Sequence, residues 1–308
     1  MNKSDLTLIT GSEGMVGSRF VELFPNKENL HIPREIEFDI TNSSQVKALI
    51  KSFAFKAVVH FAAFTNVGDA EEQKGNKDAS CWQVNVEGTR NLVDAIKPYK
   101  DKIQFIQIST DMVFPGSKSN PGPYPEDYKP SVNSENLTWY GYTKAEAERV
   151  VLDTLGERAT ILRLNYPVRA KFDSKLDFIR RPLKLYDEGK LYPMFTDQII
   201  SITYIDEMCE LLNKIIEENK YGIFHASTPD TTTPYEFVNY MLKKVRHVDN
   251  AVEKETLKNY LEKNKVTPLR YPEFGGLKVE ETEKRLDYKF SSWKKVIDKL
   301  VLQGMGAS

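Results

Sequence analysis

The chain has 308 residues, of which 40% are hydrophobic and 28% are charged, and its formal net charge is -1 at pH 7. It is large enough for one sizeable core or for two that share an interface, and its near-neutral charge excludes the strong basic field typical of nucleic-acid binding. Its two cysteines, Cys81 and Cys209, cannot form a disulfide framework, and the sequence contains no zinc-ligand spacing, signal peptide or apolar stretch of roughly 20 residues, so we expect a cytoplasmic protein.

Strands and helices are predicted to alternate along the first part of the chain. The apolar run Leu6–Thr10 predicts a strand, and apolar residues recur at helical spacing from Val16 until Pro25. Further strands are predicted at residues 30–32, 57–61, 103–109 and 159–164, and helices at residues 45–53, 81–96 and 138–155. Residues 116–130 are rich in Pro, Gly and Ser and predict a loop. This alternation indicates an α/β fold with a Rossmann-type, doubly wound parallel sheet.

The second part of the chain alternates less regularly. Helices are predicted at residues 177–188, 206–218, 235–246 and 292–302, and a short strand at Gly222–Ala226. We interpret residues 166–308 as a smaller substrate-binding lobe over the carboxyl ends of the strands, where such sheets bind ligands. Residues 1–165 then form an NAD(P)-binding domain to which about residues 197–227 also belong, so the two are interleaved.

A glycine-rich turn, TGSEGMVG at residues 10–17, follows the first strand. Gly11 permits the tight turn, Gly14 lets the backbone approach a pyrophosphate, and Gly17 allows close packing of helix on strand. The helix N-terminus adds amide groups and a partial positive charge. A purely structural turn is the alternative, but the context predicts a dinucleotide site. Its cofactor contacts are assigned to Gly11, Glu13, Gly14, Met15 and Val16.

The end of the second strand bears on which dinucleotide is bound. An acidic residue there would bind the ribose hydroxyls and select NAD(H), but the sequence places Arg34 there, after Pro33. Arg34 can pair with a 2′-phosphate, which favours NADP(H), while an ordinary surface arginine is the alternative. Asp39 and Ile40 come later and are expected near the adenine.

Tyr140 and Lys144 are four residues apart, so a helix presents both on one face. A free tyrosine has a pKa of about 10 and is a poor acid–base catalyst at neutral pH. The Lys144 ammonium and the positive ring of an oxidised nicotinamide are expected to lower that pKa. Thr110, with Ser109 as the alternative, follows a strand and can hydrogen-bond a carbonyl oxygen. Together these residues predict a reductase that protonates a carbonyl while a nicotinamide supplies hydride.

These motifs resemble the extended short-chain dehydrogenase/reductases, and among them the dTDP-4-dehydrorhamnose reductase family. The resemblance covers nearly the whole chain and rests on ITGSEGMVGSRF, VVHFAAFTNVGDAE, NVEGTRNLVDA, ISTDMVFPG, YGYTK, ILRLNYPV and DQIISITYIDEM. It implies NADPH-dependent reduction of the 4-keto group of a nucleotide-linked deoxysugar, in polysaccharide biosynthesis. The implied catalytic triad is Thr110, Tyr140 and Lys144. The implied cofactor contacts outside the glycine-rich turn are Ala62, Ala63, Thr65, Asn85, Ser109, Tyr140, Lys144, Asn165 and Tyr166.

Some positions depart from the family and leave alternatives open. Ile199 and Ser201 stand where the family usually has glycine and proline, and the loop between Thr110 and Tyr140 is longer than usual. A 4,6-dehydratase is disfavoured, because Met112 stands where those enzymes place a glutamate. A nucleotide-sugar 4-epimerase remains an alternative. So does a non-enzymatic, cofactor-binding regulatory subunit that resembles the methionine adenosyltransferase beta subunit.

A nucleotide-diphospho-sugar would be the expected partner, and it needs basic side chains around its diphosphate. The candidates are Arg169, Lys171, Arg180, Arg181 and Arg270. Charge runs are more often a solvated face, which is the alternative for this cluster. We expect neither nucleic acid nor a membrane as a partner and no metal, and a homodimer is left open.

Overall fold

The computed structural model describes residues 6–265, 269 and 271–306. They divide into two compact units. The first comprises the residues up to Phe114, Lys129–Arg163 and Cys209–Phe224, and the second comprises Pro115–Tyr128, Leu164–Met208 and the residues from His225 onward. The loop from Pro115 therefore belongs to the second unit, whereas the sequence placed it in the first domain. The roles assigned to the two predicted domains remain predictions.

The strands are short and spread along the whole described chain. They are β1 (Leu6–Thr10), β2 (Leu30–His31), β3 (Phe55–His60), β4 (Gln104–Thr110), β5 (Ala159–Leu164), β6 (Pro167–Val168), β7 (Met194–Phe195), β8 (Thr203–Tyr204), β9 (Gly222–Ala226) and β10 (Lys254–Glu255).

The helices alternate with these strands. They are α1 (Met15–Leu23), α2 (Ser43–Ser52), α3 (Val67–Glu72), α4 (Ser80–Trp82), α5 (Thr89–Ile96), α6 (Trp139–Leu155), α7 (Arg180–Asp187), α8 (Ile205–Glu217), α9 (Pro234–Arg246), α10 (Leu257–Asn264), α11 (Glu280–Leu286) and α12 (Trp293–Leu302). One π-helical turn, Gln83–Gly88, joins α4 to α5.

The first unit is built around a six-stranded sheet in the order β2-β1-β3-β4-β5-β9. β1 pairs in parallel with β2 and β3, and β3 pairs in parallel with β4. Every residue of β4 and β5 is buried, as expected for strands covered on both faces. The predicted Rossmann-type α/β fold is confirmed. Because parallel strands end at one edge, the residues after β1, β3 and β4 lie close together.

Side-chain caps fix where several helices begin. Asn42 accepts hydrogen bonds from the amides of Ser44 and Gln45, so α2 starts at Ser43, two residues earlier than the apolar pattern predicts. Asn66 caps α3 in the same way, and the sequence reading had not predicted that helix. Thr138 accepts a hydrogen bond from the amide of Gly141 and starts α6.

The second unit has its own apolar core and two small sheets. β6 pairs in parallel with β8, and β7 with β10. Helices α9 and α12 pack together through buried residues that include Phe237, Trp293 and Ile297. The short helices α10 and α11 were missed by the sequence reading. In the described part of the chain, no helix combines the length and apolarity required to cross a bilayer.

Candidate active site

The glycine-rich turn lies directly against the end of β3. Gly11 has a φ of +69°, which L side chains rarely adopt, and a Cβ there would overlap the backbone nitrogen of Ala62. A Cβ at Gly17 would overlap the carbonyl oxygen of Gly11, so the start of α1 also packs closely on the turn. Gly14 occupies the N-cap position of α1, and no side chain caps that helix. These features fit a dinucleotide pyrophosphate, as the sequence predicted.

Arg34 lies at a cavity beyond the turn. The cavity has a volume of about 440 Å³ and is lined by Glu13, Arg34, Glu35 and Ile36. Arg34 is exposed and pairs with Glu37 at 2.6 Å. The predicted Glu13 and Arg34 are therefore brought together at the end of β2, although a 2′-phosphate would have to compete with Glu37 for the guanidinium.

The residues predicted beside the adenine have local roles in the structure. One carboxylate oxygen of Asp39 accepts hydrogen bonds from the amide of Thr41 at 2.8 Å and from its hydroxyl at 2.7 Å. Ile40 is buried and packs against the backbone of Gly88. Their contact with a cofactor remains a prediction.

Asn85 holds the backbone segment that contains Ala62, Ala63 and Thr65. Its Oδ1 accepts a hydrogen bond from the amide of Phe64 at 2.8 Å, and its Nδ2 donates to the carbonyl of Phe64 at 3.2 Å. The Asn85 side chain is buried. Asn85 thus supports, through the backbone, the segment expected to line the cofactor.

Lys144 is buried on α6 and faces the end of β4. Its Nζ donates a hydrogen bond to the carbonyl of Ile108 at 2.8 Å. Burial lowers the pKa of Lys144 to about 8, while the negative charges of Glu148 and a Cys81 thiolate act in the opposite direction. The ammonium is therefore held in place but is easier to deprotonate than a surface lysine.

Tyr140 lies on the same helix and meets Thr110. Desolvation raises the pKa of the Tyr140 phenol, the charges of Asp111 and Cys81 raise it further, and a hydrogen bond with the Thr110 hydroxyl lowers it. Desolvation outweighs the hydrogen bond with Thr110, so the predicted lowering of this pKa by Lys144 is wrong; the lowering expected from an oxidised nicotinamide remains a prediction. The Thr110 hydroxyl also donates a hydrogen bond to Oδ1 of Asp111 at 3.2 Å.

Gly141 lets α6 approach the turn that follows β4. A Cβ at this position would overlap the carbonyl oxygen of Met112. No larger residue could bring the first turn of the helix so close to the residues after Thr110. The glycine inside the YGYTK motif thus explains how Tyr140 reaches Thr110.

Ser109 has a different environment from Thr110. Its hydroxyl donates to Glu148 at 2.5 Å, and Glu148 forms a fully buried ion pair with Arg163 at 2.7 Å. The Ser109 hydroxyl is thus directed into this ion pair, which leaves Thr110 as the better candidate for a carbonyl donor. Sequence reasoning missed Glu148 and Thr143, although both lie on the face of α6 near Tyr140 and Lys144 by helical spacing.

Asn165 and Tyr166 belong to the second unit. The Asn165 side chain is buried, donates to the Ser201 hydroxyl at 2.8 Å and accepts from the Ser227 hydroxyl at 2.9 Å. Tyr166 has a φ of +37° and its ring packs against Phe178. Ser201, which departs from the family pattern, is thus part of a polar cluster around Asn165. The approach of Asn165 and Tyr166 to a nicotinamide remains a prediction.

The basic candidates for the diphosphate have unequal environments. Arg180 pairs with Asp177 and donates to the carbonyl of Arg169, so its charge is largely used inside the second unit. The guanidinium of Arg169 is buried and lies 5.5 Å from the ring of Phe172. Lys171 and Arg181 are exposed, and Arg270 lies outside the described residues. Across the described ranges, no group of three or more His, Cys, Asp or Glu could hold a metal ion.

The chain is similar to known proteins over almost its whole length. The RmlD substrate binding domain family matches residues 6–305. The chain is 30% identical over 273 residues to a dTDP-4-dehydrorhamnose reductase from Aggregatibacter actinomycetemcomitans. This alignment covers 86% of this chain and 85% of that protein. It is 29% identical over 238 residues to a probable dTDP-4,6-dihydroxy-2-methyloxan-3-one 4-ketoreductase from Streptomyces antibioticus, covering 77% of this chain and 76% of that one.

The same fold is found in solved structures. A dTDP-4-dehydrorhamnose reductase from Bacillus anthracis strain Ames, in complex with NADP, has a TM-score of 0.81 to this chain at 23% sequence identity. The match covers 97% of this chain and 98% of that structure.

The environment of Lys144 predicts an unusual titration. In the protein without cofactor, the Lys144 ammonium should lose its proton with a midpoint of about 8, against an ordinary value of 10.5. Glu148→Gln removes a negative charge that stabilises the ammonium, so the midpoint should move to lower pH. The measurement is the pH dependence of the Lys144 side-chain NMR shifts in wild-type and variant protein.

Glu146→Gln provides the matched control, because Glu146 lies on the same helix but pairs with Arg149 near the surface. It should leave the Lys144 midpoint unchanged. An ordinary midpoint in the wild type, or the same midpoint in the Glu148→Gln variant, would contradict this electrostatic picture.

Proposed function

The chain belongs to the RmlD substrate binding domain family, and we propose that it uses NADPH to reduce the 4-keto group of a nucleotide-linked deoxysugar. The observation that carries the proposal is the meeting of Tyr140, Thr110 and Lys144 at the carboxyl end of β4, in the unit that also holds the glycine-rich turn. The names of the similar reductases support the substrate class.

Tyr140 carries its proton at neutral pH, which the reductive direction requires, although its raised pKa makes it a weaker acid than a free tyrosine. A group that protonates a carbonyl oxygen must hold its proton at neutral pH, and the desolvated phenol does so. When bound, the reduced nicotinamide supplies hydride to the carbonyl carbon. The Thr110 hydroxyl exchanges its bond to Asp111 for a hydrogen bond to the substrate oxygen, and Tyr140 transfers its proton to the same oxygen.

Lys144 has two roles in this proposal. Its positive charge stabilises the phenolate that Tyr140 becomes after it has given up the proton. The Lys144 ammonium has three N–H donors, and one of them donates a hydrogen bond to the Ile108 carbonyl. A ribose hydroxyl of the cofactor is a suitable partner for another donor.

Met112 supports a reductase rather than a dehydratase. It lies in the short turn Asp111–Val113 that follows β4. A thioether cannot take up or release a proton, so this position cannot supply the acid–base group that a dehydratase needs.

Tyr140→Phe tests the assigned proton donor. The variant should lose about 10²–10⁴-fold in kcat, because general acid catalysis is removed, while NADPH binding stays close to normal. The measurement is NADPH oxidation with a panel of nucleotide 4-keto-6-deoxysugars, on which the wild type should show turnover.

Tyr142→Phe is the control for that experiment, since Tyr142 lies on another face of the helix, where it stacks on Trp139. It should keep wild-type activity. A fully active Tyr140→Phe enzyme would overturn the catalytic assignment, and tight NADPH binding with no turnover on the whole panel would favour a regulatory protein.

Arg34→Ala tests the cofactor preference. Loss of the guanidinium should raise the KM for NADPH about tenfold, the effect of losing roughly one charge-assisted hydrogen bond, and should leave the KM for NADH nearly unchanged. Steady-state kinetics with both cofactors measure the ratio. Arg19→Ala, which removes a surface arginine paired with Glu22 on α1, is the control. Equal effects of Arg34→Ala on both cofactors would contradict its role at the 2′-phosphate.

A further inference from the structure

A chain of buried polar side chains runs through the first unit and includes a histidine that the proposed mechanism does not use. Its members are Thr10 on β1, His60 on β3, Thr89 on α5, Asn85 in the π-helical turn and Thr143 on α6. All five are at most 2% exposed. Buried polar groups are costly unless hydrogen-bonded, and the donors and acceptors of these five side chains fix the direction of each bond.

The bonds around His60 allow only one tautomer. The Thr89 hydroxyl donates to the carbonyl of Asn85 at 2.7 Å. Thr89 must therefore accept from His60, whose Nε2 lies 3.2 Å from the Thr89 oxygen and carries the proton. Nδ1 of His60 then has no proton and accepts from the Thr10 hydroxyl at 2.7 Å.

The other end of the chain reaches the catalytic helix with the same direction of donation. The Thr143 hydroxyl donates to the backbone carbonyl of Tyr140 at 2.9 Å. Thr143 must therefore accept from Nδ2 of Asn85, also at 2.9 Å. In this π-helical turn the backbone amide of Thr89 donates to the carbonyl of Val86. The carbonyl of Asn85 accepts a hydrogen bond from the Thr89 hydroxyl.

The two ends of this hydrogen-bonded chain, Thr10 and Thr143, both reach the proposed site. Thr10 directly precedes Gly11, and its hydroxyl oxygen accepts a hydrogen bond from the amide of Ala62 at 3.4 Å. The backbone of Ala62 lies against Gly11. One end thus fixes the glycine-rich turn, and the other fixes the backbone of Tyr140.

The charge state of His60 agrees with this directionality. Burial lowers the pKa of His60 to about 3, and the positive charge of Lys144 lowers it as well. The imidazole is therefore neutral over the physiological range, and it can accept at one nitrogen while it donates at the other.

We infer that His60, as its neutral Nε2–H tautomer, is a positioning residue that couples the glycine-rich turn to the catalytic helix through this hydrogen-bonded chain. The inference rests on the proposed function in so far as the turn binds NADPH and Tyr140 acts as the acid. The consequence is that removing one hydrogen bond of this series, at a residue that touches neither the cofactor nor the substrate, should weaken cofactor binding and also slow turnover.

The first test reads the tautomer directly and needs no activity. In ¹⁵N NMR spectra of the full chain without cofactor, the His60 signals are assigned by their loss in His60→Gln. Nε2 should carry the proton, Nδ1 should not, and neither signal should titrate between about pH 5 and pH 8, the range in which an ordinary histidine changes charge. An Nδ1–H tautomer or a titration in that range would overturn the inference.

The second test interrupts the hydrogen-bonded chain with Thr89→Val, which keeps the shape of the side chain and removes its hydroxyl. The Kd for NADPH, measured by calorimetry, should rise about fivefold, as expected for about one lost hydrogen bond. The kcat should fall about tenfold, since small losses of orientation are expensive in catalysis. Thr10→Val should act in the same direction, and the double variant should be less impaired than the sum of the two, because one break already interrupts the chain.

Thr160→Val is the matched control. Thr160 is a buried threonine of the same sheet whose hydroxyl donates to the carbonyl of Lys220 at 3.2 Å, outside this chain of residues. It should lower the melting temperature to a similar extent and leave the Kd and kcat unchanged. Folded Thr89→Val protein with wild-type Kd and kcat, or equal losses in Thr160→Val, would overturn the inference. If the wild type binds no NADPH, the proposed function fails, and the NMR result alone decides the role of His60.

Discussion

The Lys144 ammonium is buried, and the residues around it are arranged to hold its charge. A buried cation is costly unless it is hydrogen-bonded and compensated. The Ile108 carbonyl accepts one hydrogen bond, and Glu148 contributes a negative charge one helical turn away. Glu148 is itself buried and is compensated by Arg163. The buried Lys144 charge is thus accompanied by a second buried pair, and together these contacts tie α6 to β4 and β5.

This arrangement determines what the site can do with a proton. The Tyr140 phenol is protonated at neutral pH, as the proposed proton donor must be, and desolvation makes it a weaker acid than a free tyrosine. Lys144 keeps a pKa of about 8, so a positive charge is still present at neutral pH, and the proposed mechanism uses it to stabilise the phenolate after proton transfer. Ser109 lies beside Thr110 in sequence but serves the Glu148 pair. Two adjacent hydroxyls thus have different partners, since Ser109 donates to Glu148 and Thr110 donates to Asp111.

The sequence was sufficient for the alternating architecture, the glycine-rich turn and the pairing of Tyr140 with Lys144, because each depends on local spacing. It did not reveal the π-helical turn around Asn85, because the Asn85 side chain is held there by bonds to Phe64 and Thr143, which are distant in sequence. The sign of the Tyr140 pKa shift was also missed, because burial cannot be read from helical spacing. Ser201 departed from the family pattern, and only the structure shows its bond to Asn165.

In the proposed reaction, these residues direct hydride from NADPH to the carbonyl carbon at C4 of a nucleotide-linked sugar. The most direct measurement uses NADPH that carries deuterium at the transferable position of the nicotinamide, followed by NMR of the sugar product. The product should carry one deuterium on C4 of the sugar and none elsewhere. A product that forms without deuterium at C4, or with deuterium at another carbon, would contradict it.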